Sequence, residues 1–90
     1  MHVTVHYFAQ LRRAVDRTEE RVEMEPGSTV ARLLRRLSDL HGEAVRSLLL
    51  GADGASRPSL LVFIDEQPAD PETELGDGDE VTLLTPMAGG

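Results

Sequence analysis

The sequence predicts an α+β domain of two layers, a mixed β-sheet with one main helix packed across one face. Three observations carry that expectation. HVTVHYF (2–8) and ERVEME (20–25) alternate polar and apolar residues with a period of two, the spacing of strands. STVARLLRRLSDLHG (28–42) repeats its apolar residues at helical spacing. Two β-rich runs, SLLVFI (59–64) and EVTLLT (80–85), then return. An early hairpin followed by a helix and returning strands lays that helix over a single sheet.

In the first strand Val3, Val5 and Tyr7 face one way, and His2, Thr4, His6 and Phe8 the other. AQLRRAVD (9–16) fits one or two helical turns. The second strand points Val22 and Met24 inward and stops at Pro26-Gly27, a turn pair. The buried stripe of the main helix is Val30, Leu33, Leu34, Leu37 and either Leu40 or His41. Ser28 or Thr29 can cap its start, and Gly42 sits where a left-handed residue ends a helix. Arg32, Arg35, Arg36 and Asp39 fall on its outer side. EAVRSLLLG (43–51) reads as a short second helix and GADGASRP as a loop.

SLLVFI is apolar throughout, which predicts cover on both faces of that strand. DEQPADPETELGDGDE is loop-rich, with room for a short strand and with Leu75 as its inward anchor. In the last strand Val81 and Leu83 face one way, Thr82 and Leu84 the other. One face of the sheet is thereby left open. Alternation puts Phe8, Phe63 and Leu84 on that face, an apolar patch of the kind that binds a partner.

Ninety residues, 40% of them hydrophobic, suffice for one core. The absence of cysteine excludes a disulfide framework, a thiolate nucleophile and a cysteine-based zinc site. No apolar run approaches the roughly 20 residues that span a bilayer, and no basic leader with an apolar stretch opens the chain. A cytoplasmic protein without membrane contact is expected. All nine cations are arginine, so no ε-amine is present to form a Schiff base or accept an acyl group. The net charge of −7 is uneven: residues 43–90 hold two arginines against ten acids. That half argues against nucleic acid, whose phosphates need clustered cations, and suits a partner with a basic docking surface.

Catalytic and metal signals are weak. His2 and His6 share a strand face but stand about 13 Å apart, too far to chelate one ion unaided. His41 lies near a helix C-terminus, where a cation is favoured. DPETELGDGDE lacks the residue pattern of a calcium loop and leads directly into a strand, so its acids read as turn formers. GADGASRP lacks the Lys-Ser/Thr of a phosphate loop, and no Ser/His/acid set has local support. The expectation is a protein that is no enzyme and binds no metal or cofactor of its own.

The last residues are TPMAGG. Pro86 cannot donate a ladder hydrogen bond, which releases the chain from the sheet after Thr85. Ala88, Gly89 and Gly90 carry almost no side chain, so the segment is slim enough to thread a narrow channel. A domain at 1–85 with an extended tail at 86–90 is expected, and the tail's functional group is the Gly90 carboxylate.

YFAQLR, TVARLLRRL, VFIDEQPA and LGDGDEVTLLTPMAGG together make the chain resemble the ubiquitin-like sulfur carriers of the MoaD/ThiS type. Within that family it looks most like the small subunit of molybdopterin synthase. The resemblance implies a β-grasp (ubiquitin-like) fold and a carrier cycle. An ATP-dependent activating enzyme adenylates Gly90, and a sulfur donor then converts it to a thiocarboxylate. A large catalytic subunit accepts Pro86, Met87, Ala88 and Gly89 in its channel, and sulfur passes into molybdopterin. By the same resemblance Phe8, Phe63, Pro68 and Leu84 face the partner, and the free carrier is a monomer. Thr85-Pro86-Met87 departs from a common Pro-Pro-Val, and Asp65 stands where asparagine is common. Supply of sulfur to cysteine or thiamine synthesis, and conjugation of Gly90 to target lysines, are the competing functions. A plain binding module, in which the ending is incidental, is a further one.

Overall fold

The computed structural model describes residues 1–85; Pro86, Met87, Ala88, Gly89 and Gly90, and with them the division between domain and tail, lie outside the described residues. Five strands and three helices follow one another as β1 (His2–Tyr7), α1 (Gln10–Val15), β2 (Glu19–Glu23), α2 (Val30–His41), α3 (Glu43–Leu49), β3 (Leu61–Ile64), β4 (Gln67–Pro68) and β5 (Glu80–Leu84). The sheet order is β2-β1-β5-β3-β4. β1 and β5 run parallel at its centre, and every other pairing is antiparallel. The sheet is therefore mixed, as expected. A parallel pair needs a long crossover, and here everything between β1 and β5 supplies it.

The core lies between one sheet face and the helices. Val3, Val5, Tyr7, Val81 and Leu83 from the two central strands are fully buried against Val30, Leu33, Leu34 and Leu37 of α2. Thr29 caps α2 by accepting the Arg32 N–H at 3.4 Å. Ser28 instead donates its hydroxyl to the Glu25 carbonyl at 2.6 Å. At the other end Gly42 takes a positive φ of 88°, a region that favours glycine.

The choice between Leu40 and His41 falls to histidine. Leu40 is 51% exposed. His41 turns toward the sheet and its Nε2 lies 2.8 Å from Glu20 Oε1. Its ring stands edge-on to Tyr7, with centroids 6.3 Å apart. Glu20 is nearly buried and also meets Arg17 at 3.3 Å. A polar pair closes this end of the core because a carboxylate already sits on the inward side of β2, where a leucine would leave it with Arg17 as its one partner among the described residues.

One expectation is overturned. The apolar run at 59–64 does not have cover on both faces. Val62 is buried and Ile64 packs on the core, but Leu61 is 42% exposed and Phe63 half-buried. The run is apolar on its second side because the uncovered sheet face is itself apolar. The strands also run shorter than their sequence segments, by one residue in β1 and β5 and by two in β3, where pairing ends at the turns.

Candidate docking face

The register assembles the open face from four strands. Leu61 of β3 stands opposite Leu84 of β5, and Phe63 stands opposite both Thr82 of β5 and Pro68 of β4. Phe8 follows β1, whose His6 lies beside Thr82. The backbone reverses immediately afterwards at Ala9, with φ 55°, and Phe8 remains 40% exposed. Arg12 stacks on its ring at 5.6 Å from the centroid. The four residues expected on this face, Phe8, Phe63, Pro68 and Leu84, are thus brought onto one surface. Leu61 belongs with them and was missed. A period of two counted back from Phe63 would have found it, had the whole run not read as covered.

Beside the apolar patch lies a hollow of about 490 Å³ lined by His6, Phe8, Asp65, Glu66, Glu80 and Thr82. Its acids are held in place by the backbone. Asp65 and Glu66 form the two-residue β3–β4 turn with φ of 48° and 71°, the left-handed pair that such hairpins require. The Asp65 N–H donates to the Glu80 carbonyl at 2.9 Å, and Asp65 Oδ1 accepts the Glu80 N–H at 3.1 Å. An asparagine would supply the same side-chain oxygen, so this departure from the family pattern leaves the turn intact. His6 sits between two carboxylates, its Nε2 2.5 Å from Glu80 and its Nδ1 3.8 Å from Glu19. The open face is therefore apolar across β3 and β5, with the acids of the β3–β4 turn and Glu80 beside it.

The other sequence candidates resolve as turns and pairs. Asp77 Oδ1 accepts the His2 N–H at 2.9 Å, and Asp79 Oδ2 accepts the Gly76 N–H at 2.7 Å, so these acids shape the approach to β5. His2 lies 3.9 Å from Glu23 across the β1–β2 pair. Among the described residues no group of three or more His, Cys, Asp or Glu is placed to hold a metal. None of the described helices is long and apolar enough to cross a membrane.

Comparison with solved structures finds the same architecture. SAMP1 from Haloferax volcanii shares 27% identity, with complete coverage of both chains and a TM-score of 0.91. A Pyrococcus furiosus protein assigned as molybdopterin converting factor, subunit 1, shares 25% identity over 97% of this chain and 99% of its own, with a TM-score of 0.80. CysO of Amycolatopsis orientalis, solved in complex with BexX, is represented by a match at 25% identity over 98% and 99% of the two chains, with a TM-score of 0.71. A search of curated proteins found no match. The ThiS family profile covers residues 5–90, from the first strand through the final glycines. The fold is the ubiquitin-like β-grasp, and the chain belongs to the ThiS family of ubiquitin-like sulfur carriers.

Proposed function

We propose that the protein is a sulfur carrier, itself no enzyme, that delivers sulfur from Gly90 in molybdopterin biosynthesis and meets its partners through the open sheet face. The observation that carries this reading is the extent of the family match, which takes in both the docking face and the Gly-Gly ending. The likeness to a molybdopterin converting factor subunit supports the pathway.

The chemistry follows from the terminal carboxylate. A carboxylate is a poor electrophile, so an oxygen of Gly90 attacks the α-phosphorus of ATP on an activating enzyme and pyrophosphate leaves. A sulfur nucleophile from a donor then attacks the acyl carbon and AMP departs, leaving –COS⁻. That sulfur attacks an electrophilic carbon of a substrate bound to a larger catalytic subunit, with residues 86–89 occupying the channel. Water then cleaves the acyl carbon–sulfur bond of the resulting thioester, leaving sulfur on the substrate and returning the Gly90 carboxylate. Phe8, Leu61, Phe63, Pro68 and Leu84 supply the apolar contact. Asp65, Glu66 and Glu80 favour a partner that surrounds its apolar seat with cations.

Intact-mass spectrometry of protein purified from its own organism tests the carrier step. The expected result is a mass gain equal to exchange of one oxygen for sulfur, localised to Gly90. Deleting the gene should abolish molybdopterin while cells still make thiamine and cysteine; the reverse pattern would move the carrier to another pathway.

A second reading has its own support, since the proteins of similar structure include small archaeal modifier proteins. In it the activated Gly90 passes to a lysine amine of a target protein. The chain contains no lysine, so it could be added only singly. Gly-Gly remnants on lysines of cellular proteins, lost when Gly90 is deleted, would establish this function.

A further inference from the structure

We infer that the groove between the free edge of β2 and the N-terminal half of α2 is a second docking site, and that its occupant is an extended acidic segment of a partner protein that adds to β2 as a strand. β2 ends the sheet and, among the described residues, pairs only with β1. Met24 exchanges hydrogen bonds with Met1, at 2.8 and 2.9 Å, and the Tyr7 N–H donates to the Thr18 carbonyl at 2.8 Å. The residues of even number along this strand therefore direct their backbone groups at β1. Antiparallel alternation leaves the N–H and C=O of Glu19, Arg21 and Glu23 pointing off the sheet.

Beside that edge lies a hollow of about 520 Å³. Buried Met24 and Ser28 floor it, and the exposed Arg32, Arg35 and Arg36 wall its helix side. Among the described residues, Arg17 is the one arginine that makes an ion pair. Arg32 stands in the first turn of α2, where the helix dipole disfavours a cation. Glu23, Glu25 and Asp39 also line the hollow, but among the described residues none of them pairs with Arg32, Arg35 or Arg36. Three guanidiniums left unpaired in a chain of net charge −7 favour an external anion.

An added strand bonds its main chain to the exposed edge and turns every second side chain toward the helix layer. Carboxylates at those positions meet the guanidiniums in charge-assisted pairs. Glu23 and Glu25 on the strand side of the hollow repel acids at the intervening positions, which should therefore be apolar. The groove lies at the opposite edge of the sheet from β3 and β4, so a guest there leaves the docking face free. This inference does not depend on what Gly90 carries.

The test is a titration of ¹⁵N-labelled full-length protein with a blocked peptide of alternating aspartate and valine, read by amide shifts and hydrogen exchange. The expected result is protection of the Arg21 and Glu23 amides together with shifts along α2. The Arg32→Glu/Arg35→Glu variant, altered at exposed positions, should bind on the order of tenfold more weakly or worse while its remaining spectrum is unchanged. A lysine–valine peptide should not bind. Absence of shifts at millimolar peptide, shifts confined to the open sheet face, or equal binding of the lysine peptide would overturn the inference. So would shifts on α2 reproduced by inorganic phosphate without edge protection, which would mark a simple anion site. Edge protection that rises with protein concentration alone would assign the groove to a second copy of the chain.

Discussion

Tyr7 offers a built-in probe of the core. It is the only tyrosine in a chain without tryptophan, and it is fully buried between sheet and helices. Its hydroxyl has no hydrogen bond of good geometry among the described residues. Burial raises its proton affinity above the usual tyrosine value of 10.0, and the nearby Glu20 carboxylate raises it further, against a smaller opposing effect of Arg17. Below about pH 10 both folded and unfolded chains keep the proton, and no pH dependence arises. Above it the unfolded chain releases the proton and the folded chain does not. Stability then falls by about 1.4 kcal/mol per pH unit, reaching a loss of about 2.7 kcal/mol at about pH 12. With no lysine or cysteine present and arginine charged throughout, no other side chain ordinarily titrates in that window. Urea unfolding followed by far-ultraviolet circular dichroism, repeated at several alkaline pH values, measures the slope. The tyrosinate absorbance band should appear only as the protein unfolds, and Tyr7→Phe should abolish the alkaline slope. A tyrosinate band with a midpoint near the ordinary value in a chain still folded would refute the burial of Tyr7 and the core built around it.

Three further outcomes are expected. Leu33→Ala, at a fully buried α2 position, should cost roughly 2–5 kcal/mol in urea denaturation without changing the chemistry at Gly90. Deleting Gly90 should leave the unfolding midpoint within about 0.5 kcal/mol of the wild type and abolish sulfur transfer in a reconstituted assay; loss of folding instead would contradict an extended tail. Leu61→Asp, at an exposed position opposite Leu84, should leave stability within about 0.5 kcal/mol yet weaken capture of the catalytic partner, measured by calorimetric titration.

Local periodicity made most of the architecture legible. Alternation in residues 2–8 separated buried Val3, Val5 and Tyr7 from exposed Phe8, because a strand shows only two faces. The 3.6-residue spacing picked out Val30, Leu33, Leu34 and Leu37, all fully buried. It failed at the last turn, where Leu40 and His41 are both plausible by angle. The Glu20 carboxylate contributed by another strand decides between them, and helical spacing carries no information about that strand. The error over residues 59–64 has a similar cause. An apolar residue looks the same in sequence whether a helix or a future partner covers it.

The sequence by itself determined the main elements, most of their inward faces, the acid-rich turn before the last strand and the family, since these depend on spacing and residue type within short segments. Only the tertiary structure decided which strands are neighbours. The order β2-β1-β5-β3-β4 sets Phe8 on the same surface as Leu61, Phe63, Pro68 and Leu84, and it leaves β2 with a free edge beside three arginines of α2. Strand order and register are settled by long-range pairing, in which residues more than 70 positions apart compete for the same hydrogen bonds: Thr4 meets Glu80. That competition is resolved only when the whole core closes.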